Sequence, residues 1–255
     1  MLKYNSLNLP WFRAGISYNG DMDPSEIELL DAMESSHWWY LNRKFELLSW
    51  IKMSPKDCSV IDVGSASGGN VKLLIDLGYN VTSLEMSDIG VRLQREKNIP
   101  VVQGDATSLL FESSTFDVVI CMDVLEHIPE DELALSEIFR ILKSGGRFLF
   151  TVPEDPKLWS SHDVAVSHVR RYTKKEFSEK IENAGFILEK VYSTNVLIRP
   201  IVILVRKFRD GNSLAPTSKA QNYLMRCVSD LEKIFQLRHL PGVTLWATGT
   251  KPNEQ

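Results

Sequence analysis

Asp62, Glu85 and Asp105 each stand where an apolar run breaks off: Val60-Ile61-Asp62-Val63, Val81-Thr82-Ser83-Leu84-Glu85, and Val101-Val102 ahead of Gly104-Asp105. Runs of that kind read as buried parallel strands, so the three carboxylates fall at strand ends. A carboxylate there can accept charge-assisted hydrogen bonds from a cationic ligand. Between the first two acids lies Gly64-Ser65-Ala66-Ser67-Gly68-Gly69, a run of small residues followed by an apolar helix from Val71 to Leu77. Glycine at a turn lets backbone approach a bound molecule closely. The expected chemistry is therefore the holding of a nucleoside-like ligand with a positively charged end.

Two ligand classes use a strand, a glycine turn and a helix in this order. The spacing Gly64-x-Ala66-x-x-Gly69 fits a loosened dinucleotide fingerprint. Asp62 argues against that reading, because a pyrophosphate at the helix N-terminus would be repelled by an acid just before the turn. S-adenosylmethionine brings an ammonium and a sulfonium, which the same acid favours. Glu85 lies 21 positions after Gly64, where a ribose-binding carboxylate falls in a nucleoside-binding βαβ unit. Asp105 can accept from an adenine exocyclic amine. A glycine turn without any ligand is the plain alternative.

The elements that must position these residues alternate along the chain. Strands are expected at about 60–63, 80–85, 101–102, 116–122, 147–153, 186–192 and 243–250, with helices between them. This predicts an α/β fold, a doubly wound and mostly parallel seven-stranded sheet with ligands at the strand C-terminal ends. Gly145-Gly146 closes the helix after strand four, and Thr173-x-x-Glu176 is a capping box opening the helix before strand six. Ahead of the sheet, residues 1–23 read as an irregular arm, Pro24 opens a helix, and a second helix runs from about His37 to Met53. Its His37-Trp38-Trp39-Tyr40-x-x-Arg43 cluster either packs on the sheet or forms a lid with Arg43 facing a carboxylate. The expected division is 1–55 for arm and lid helices, 56–195 for the cofactor-binding core, 196–240 for an insertion and 241–255 for the last strand and tail.

These motifs together resemble the class I S-adenosylmethionine-dependent methyltransferases, over about His37 to Phe186. The resemblance implies a Rossmann-like methyltransferase fold binding S-adenosylmethionine, with S-adenosylhomocysteine as product. It implies a cofactor site drawn from Arg43, Asp62, Gly64, Ser65, Ala66, Gly68, Glu85, Met86, Asp105, Ala106 and Met122. Ala66 departs from the family's usual glycine and should tighten the turn. Segment Trp159 to Thr173 also looks like the post-strand-five loop of bacterial small-molecule and surface-polysaccharide-associated members. With Trp39, it offers Arg170, Arg171 and Tyr172 to an acceptor, although Arg171 and Tyr172 immediately precede a helix cap and local docking is as good a reading. Methyl transfer needs no metal but leaves a proton to remove from an oxygen or nitrogen acceptor, and His127, His162 and His168 are the candidate bases. The acceptor class stays open among small molecules, sugars and lipid-linked compounds. A dinucleotide oxidoreductase and a non-catalytic S-adenosylmethionine-binding protein remain alternatives.

With 44% hydrophobic and 24% charged residues and a net charge of −4, the chain is ordinary globular material with no general affinity for nucleic acid. Cys58, Cys121 and Cys227 are scattered without a C-x-x-C pattern, so neither disulfides nor a zinc site is expected, and the setting reads as cytoplasmic. No run is apolar and long enough to span a bilayer. The charge is unevenly spread: residues 196–240 carry eight Lys and Arg against three acids, leaving −9 on the rest. That stretch pairs a very apolar segment, Val196 to Phe208, with a helix placing Ala220, Tyr223, Leu224, Cys227, Val228, Leu231, Ile234 and Phe235 on one face. Either both surfaces pack on the core or across a homodimer, or the insertion rests on the anionic inner face of a membrane.

Overall fold

The computed structural model describes residue 28 and residues 31–208 and 218–253. The expected arm over 1–23 and the helix opening at Pro24 lie outside the described residues. The remaining elements follow the alternation anticipated above. They are α1 Trp38–Ile51, β1 Ser59–Val63, α2 Gly69–Asp76, β2 Asn80–Glu85, α3 Asp88–Glu96, β3 Val101–Gln103, β4 Phe116–Met122, α4 Asp131–Ile141, β5 Leu142–Pro153, α5 Ser161–Ala165, α6 Lys174–Asn183, β6 Ile187–Thr194, α7 Arg199–Phe208, α8 Lys219–Ile234 and β7 Thr244–Thr250.

All seven strands join one sheet in the order β3-β2-β1-β4-β5-β7-β6. Strands β1 to β5 pair in parallel, and β7 inserts antiparallel between β5 and β6. The alternation of side chains across a strand sorts the sheet into two cores. On one face Ile61, Val63, Val119, Cys121, Phe148 and Phe150 pack under α4 and α6. On the other, Val60, Val118, Ile120, Leu149 and Trp246 pack under Leu47 and Ile51 of α1 and Val71 and Leu74 of α2. Asp62 therefore shares the face covered by α1 and α2, at the C-terminal edge where β1 opens into the turn.

The start of the fifth strand differs most from expectation. The fifth strand starts at Leu142 and not at Arg147, because the sheet register slips between Phe116 and Val118 and lets Leu142 pair with Phe116 before Gly145 turns at φ +71. At Thr173 the hydroxyl accepts from Glu176 N at 3.1 Å, which is the N-cap half of the expected box.

The candidate cofactor and acceptor site

The turn after β1 is built to be narrow. Gly64 and Gly68 take φ of +73 and +83, the left-handed region that glycine enters without strain. A methyl at Gly64 would lie 2.4 Å from Val124 Cγ2, so the turn also needs glycine for space. Ala66 sits at φ +49, and its methyl does not tighten the turn so much as strain it, since left-handed backbone costs an L-residue about 1–2 kcal/mol. Beneath the turn runs a buried polar network that no sequence motif announced. Gln94 Nε2 donates to Ser65 Oγ at 2.8 Å and to Ala66 O at 2.9 Å, while Ser83 Oγ donates to Gln94 Oε1 at 2.5 Å. Gly64 N and Ser65 N both donate to Leu84 O, at 2.9 and 3.0 Å. The loop is thus fixed from below by β2 and α3.

The acids come together around it. Glu85 accepts from Ala66 N at 2.7 Å and from Ser87 N at 2.8 Å, bridging turn and α3. Asp62 is 2% exposed, and its Oδ2 has no hydrogen-bond partner among the described residues. Burial first, then the charges of Glu34 and Glu85, raise its carboxyl to about 8. Glu34, which sequence reasoning missed, arrives from a helical turn at 31–34 and covers the start of α2: its carboxylate occupies the space a Gly69 Cβ would take. Lys97, paired with Asp31 and donating to Ser67 O at 2.9 Å, ties that turn to the loop. Nothing in the spacing around Glu34 marked it. A buried acid surrounded by acids, with an oxygen left unpaired, is a place shaped for a cation. The fit to the ammonium of S-adenosylmethionine is good, and the fit to a pyrophosphate is poor.

Asp105 stands exposed beyond β3, its Oδ1 accepting from Thr107 N at 2.8 Å, with Ala106 buried beside it. Met86 is exposed at the end of β2, and Asn70 Nδ2 reaches Met122 Sδ at 3.7 Å. Arg43 does face a carboxylate, that of Asp123: they pair at 2.5 Å, Arg43 Nη2 donates to Thr151 Oγ1, and Thr151 Oγ1 donates to Asp123 Oδ1 at 3.1 Å. The guanidinium lies between the rings of Trp39 and Trp246, 5.9 and 5.4 Å from their centroids. Asp123 holds φ +57 immediately after β4. This pair closes the mouth between α1, β4 and β5.

The loop after β5 docks more tightly than an acceptor clamp requires. Tyr172 is fully buried, its hydroxyl donating to Leu125 O at 3.1 Å and Asp131 Oδ2 at 2.7 Å. Arg171 is buried too, with Nε on Asp163 Oδ1 at 2.7 Å and Nη1 on Glu154 O at 2.9 Å. Arg170 pairs with Asp131 and donates to Pro129 O. Arg170, Arg171 and Tyr172 make contacts that hold 163–172 against the turn Leu125–His127, the docking reading given above for Arg171 and Tyr172. The three candidate bases do converge, with His127 and His168 centroids 4.8 Å apart and His162 and His168 6.5 Å apart. Burial, then His168, lowers His127 to about 3, which unsuits it for holding a proton at neutral pH.

Comparison with known proteins agrees with this geometry. A family model described as a methyltransferase domain matches residues 61–150, from β1 into β5. The chain is 27% identical over 175 residues to a ubiquinone biosynthesis O-methyltransferase of Sodalis glossinidius, covering 59% of this chain and 68% of that one. It is 26% identical over 176 residues to phthiotriol/phenolphthiotriol dimycocerosates methyltransferase 1 of Mycobacterium ulcerans, covering 66% and 64%. A Mycolicibacterium smegmatis protein described as a probable S-adenosylmethionine-dependent methyltransferase matches at 28%, and the chain spans about half of its length, 52%. Among solved structures, Haemonchus contortus phosphoethanolamine N-methyltransferase 2, in complex with phosphomonomethylethanolamine and S-adenosylhomocysteine, superposes with a TM-score of 0.60 at 20% identity, covering 91% of this chain and 58% of that one. The [4+2]-cyclase SpnF superposes at 0.54 and 16% identity, covering 89% and 81%. At such identities these two likenesses concern the fold.

Proposed function

We infer that the chain is a class I S-adenosylmethionine-dependent methyltransferase, supported by the methyltransferase-domain match over 61–150 and by the relatives named above, and that it moves a methyl group to an oxygen or nitrogen of a lipid-linked or other small acceptor. The observation that carries the reading is Asp62, a buried acid with an unpaired oxygen at the lip of a left-handed glycine turn. When bound, S-adenosylmethionine supplies an electrophilic methyl on a sulfonium. Asp62 would accept from its ammonium, and Glu85 would accept from ribose hydroxyls. Gly64 to Gly68 let the backbone close on the ligand, and Asp105 at the β3 end is the acceptor for an exocyclic amine. The Arg43–Asp123 pair and Trp39 bound the acceptor side and keep the reacting groups in register, which is the main source of rate for an in-line displacement.

The lipid-linked acceptor is favoured by the insertion. Helix α8 turns its polar side inward: Asn222 Oδ1 accepts from Trp38 N, Ser229 Oγ accepts from Asn42 Nδ2, and Glu232 accepts from Asn195 N and Leu197 N. Its apolar side, Tyr223, Leu224, Leu231, Ile234 and Phe235, is 42–74% exposed, and Ile201, Ile203 and Leu204 of α7 are exposed as well. These exposed side chains speak against the reading in which both apolar faces pack on the core, although Ile198 is buried. Several of the expected lipid-facing cations are spent elsewhere, Arg199 on Asp155 and Lys233 and Arg238 on Glu46, so apolar contact outweighs charge in this reading. No described helix is long and apolar enough to cross a membrane, and peripheral contact suffices. The relatives named for ubiquinone and for phthiotriol dimycocerosates suggest the same kind of apolar acceptor.

Calorimetric titration with S-adenosylmethionine and with nicotinamide dinucleotide, followed by transfer of labelled methyl into lipid and aqueous extracts, tests both levels. Binding of the dinucleotide alone would overturn the methyltransferase reading. Label appearing only in aqueous products, with no flotation on anionic liposomes, would overturn the lipid-linked acceptor and leave α7 and α8 as a surface between copies.

A further inference from the structure

Near the Arg43–Asp123 pair, Glu126 joins two of the candidate histidines in a buried cluster. Glu126 is 1% exposed, and neither of its oxygens has a hydrogen-bond partner among the described residues. Its carboxylate faces His168 Nε2 at 3.7 Å, and His127 completes a group whose ligand atoms all lie within 4.8 Å of one another. Both imidazoles are oriented from behind. His168 Nδ1 meets Asp163 Oδ1 at 3.0 Å, and Asp163 is fully buried and held as an anion by Arg171 at 2.7 Å. A carboxylate only accepts, so Nδ1 carries a proton toward Asp163 and Nε2 is the nitrogen turned to Glu126. His127 bonds the Ser167 backbone in the manner that stabilises its ring N–H.

Two imidazoles and a buried carboxyl, neither of whose oxygens is hydrogen-bonded among the described residues, thus converge in a place where unpaired polar atoms are costly. We propose that Glu126, His127 and His168 form a site for a divalent transition-metal ion, with Asp163 as the positioning residue behind His168. The donor set is the two-histidine, one-carboxylate type that suits zinc, cobalt, iron or manganese and leaves positions open for a water or an acceptor oxygen. The backing of His168 by a carboxylate is the arrangement such ligands usually show. Ligand atoms around a tetrahedral zinc stand about 3.3 Å apart, so the widest separation closes by about 1.5 Å on binding. The ligands are pinned for this: Val169 N donates to Glu126 O at 2.8 Å, and Tyr172 and Arg170 fasten the same loop to the turn carrying Glu126 and His127. No zinc site was expected from the sequence, because only cysteine spacing was weighed and these ligands are 41 residues apart in the chain.

The test uses the full chain, stripped with chelator and desalted. Zn2+ is titrated by calorimetry, Co2+ by its visible absorption, and bound metal is counted after gel filtration. One equivalent per chain is expected, with affinity falling at least a hundredfold in Glu126→Gln and His168→Ala and roughly ten- to a hundredfold in Asp163→Asn. Circular dichroism and S-adenosylmethionine affinity confirm that each variant is folded. Glu126→Gln is nearly isosteric and carries the test where His168→Ala does not fold. Failure of the wild-type chain to bind an equivalent of Zn2+, Co2+ or Mn2+, or equal binding by folded Glu126→Gln, overturns the site. Either result leaves the methyl-transfer reading untouched, because neither measurement depends on it.

Discussion

Asp62 gives the sharpest test of the cofactor site, because its burial makes ligand binding a proton-release event. The free carboxyl is raised to about 8, whereas acceptance from an ammonium requires the anion. At pH 6.5 only about one molecule in thirty is ionised, and at pH 7.5 about one in four. Affinity for S-adenosylmethionine should therefore rise about eightfold over that unit, trimmed to about fivefold as the ligand's own α-amino group, near 7.7–8.0, begins to lose its proton. Below pH 7 binding should release close to one proton, read by calorimetry in buffers of different ionisation enthalpy. Asp62→Asn removes both the charge and the titration: its affinity should be flat over the same range and about ten- to a hundredfold weaker than wild type near pH 8, the loss expected for one charge-assisted bond. Stability moves the opposite way. A raised folded-state value means that the proton favours the fold, so this contribution is complete below about 4, the unfolded value, and is lost as pH rises toward 8. Ligand-free Asp62→Asn should accordingly gain on wild type in melting temperature between pH 5 and 8. Wild-type affinity independent of pH between 6.5 and 7.5, or a dependence shared by Asp62→Asn, would refute the placement of the ammonium.

The turn and the post-β5 loop give further tests. Gly64→Ala should cost about 1–3 kcal/mol, since a left-handed alanine is strained and its methyl meets Val124 at 2.4 Å. Adding Val124→Ala should recover part of it in denaturant unfolding. Ala66→Gly, at φ +49, should do the reverse and stabilise by up to about 1 kcal/mol, strain relief being partly offset by glycine's unfolded-state entropy. Tyr172→Phe leaves Leu125 O without its buried donor and should lower stability by about 1–3 kcal/mol with S-adenosylmethionine affinity unchanged. A variant that kept its stability but lost turnover would return Tyr172 to the acceptor side.

The parts that sequence disclosed are those governed by local rules. Parallel strands buried on both faces must be apolar throughout, so β1, β4 and β5 announced themselves, and an acid interrupting such a run at Asp62 could only be functional or costly. Glycine at 64 and 68 named the turn for the same reason: few other residues take that backbone. What stayed hidden depends on partners distant in the chain. Gln94 looks like any helical glutamine until Ser65 and Ser83 close around it, and Tyr172 looks like a surface aromatic until Asp131 receives its hydroxyl.

Helix α8 shows where periodicity stops informing. Its apolar stripe was legible residue by residue, yet a stripe states only that two faces differ and not which of them is turned inward. The decision was made by backbone groups elsewhere. The end of β6 leaves Asn195 N and Leu197 N needing acceptors, and Glu232 supplies both at 2.9 Å. The start of α1 leaves Trp38 N unpaired, and Asn222 accepts from it at 2.9 Å. Leaving such groups unmet in the interior costs about 1–3 kcal/mol apiece, so each of these bonds holds the polar side inward. The polar side turns in, and the apolar side is carried to the surface. Glu232→Gln exposes the trade. Burial raises the Glu232 carboxyl, and the amide keeps only one acceptor oxygen for two N–H groups, so the joint between β6 and α8 should loosen. Faster amide exchange at Asn195 and Leu197, without change at Gly64 or Ser65, is the expected result, and unchanged exchange there would show that the helix is oriented by some other contact.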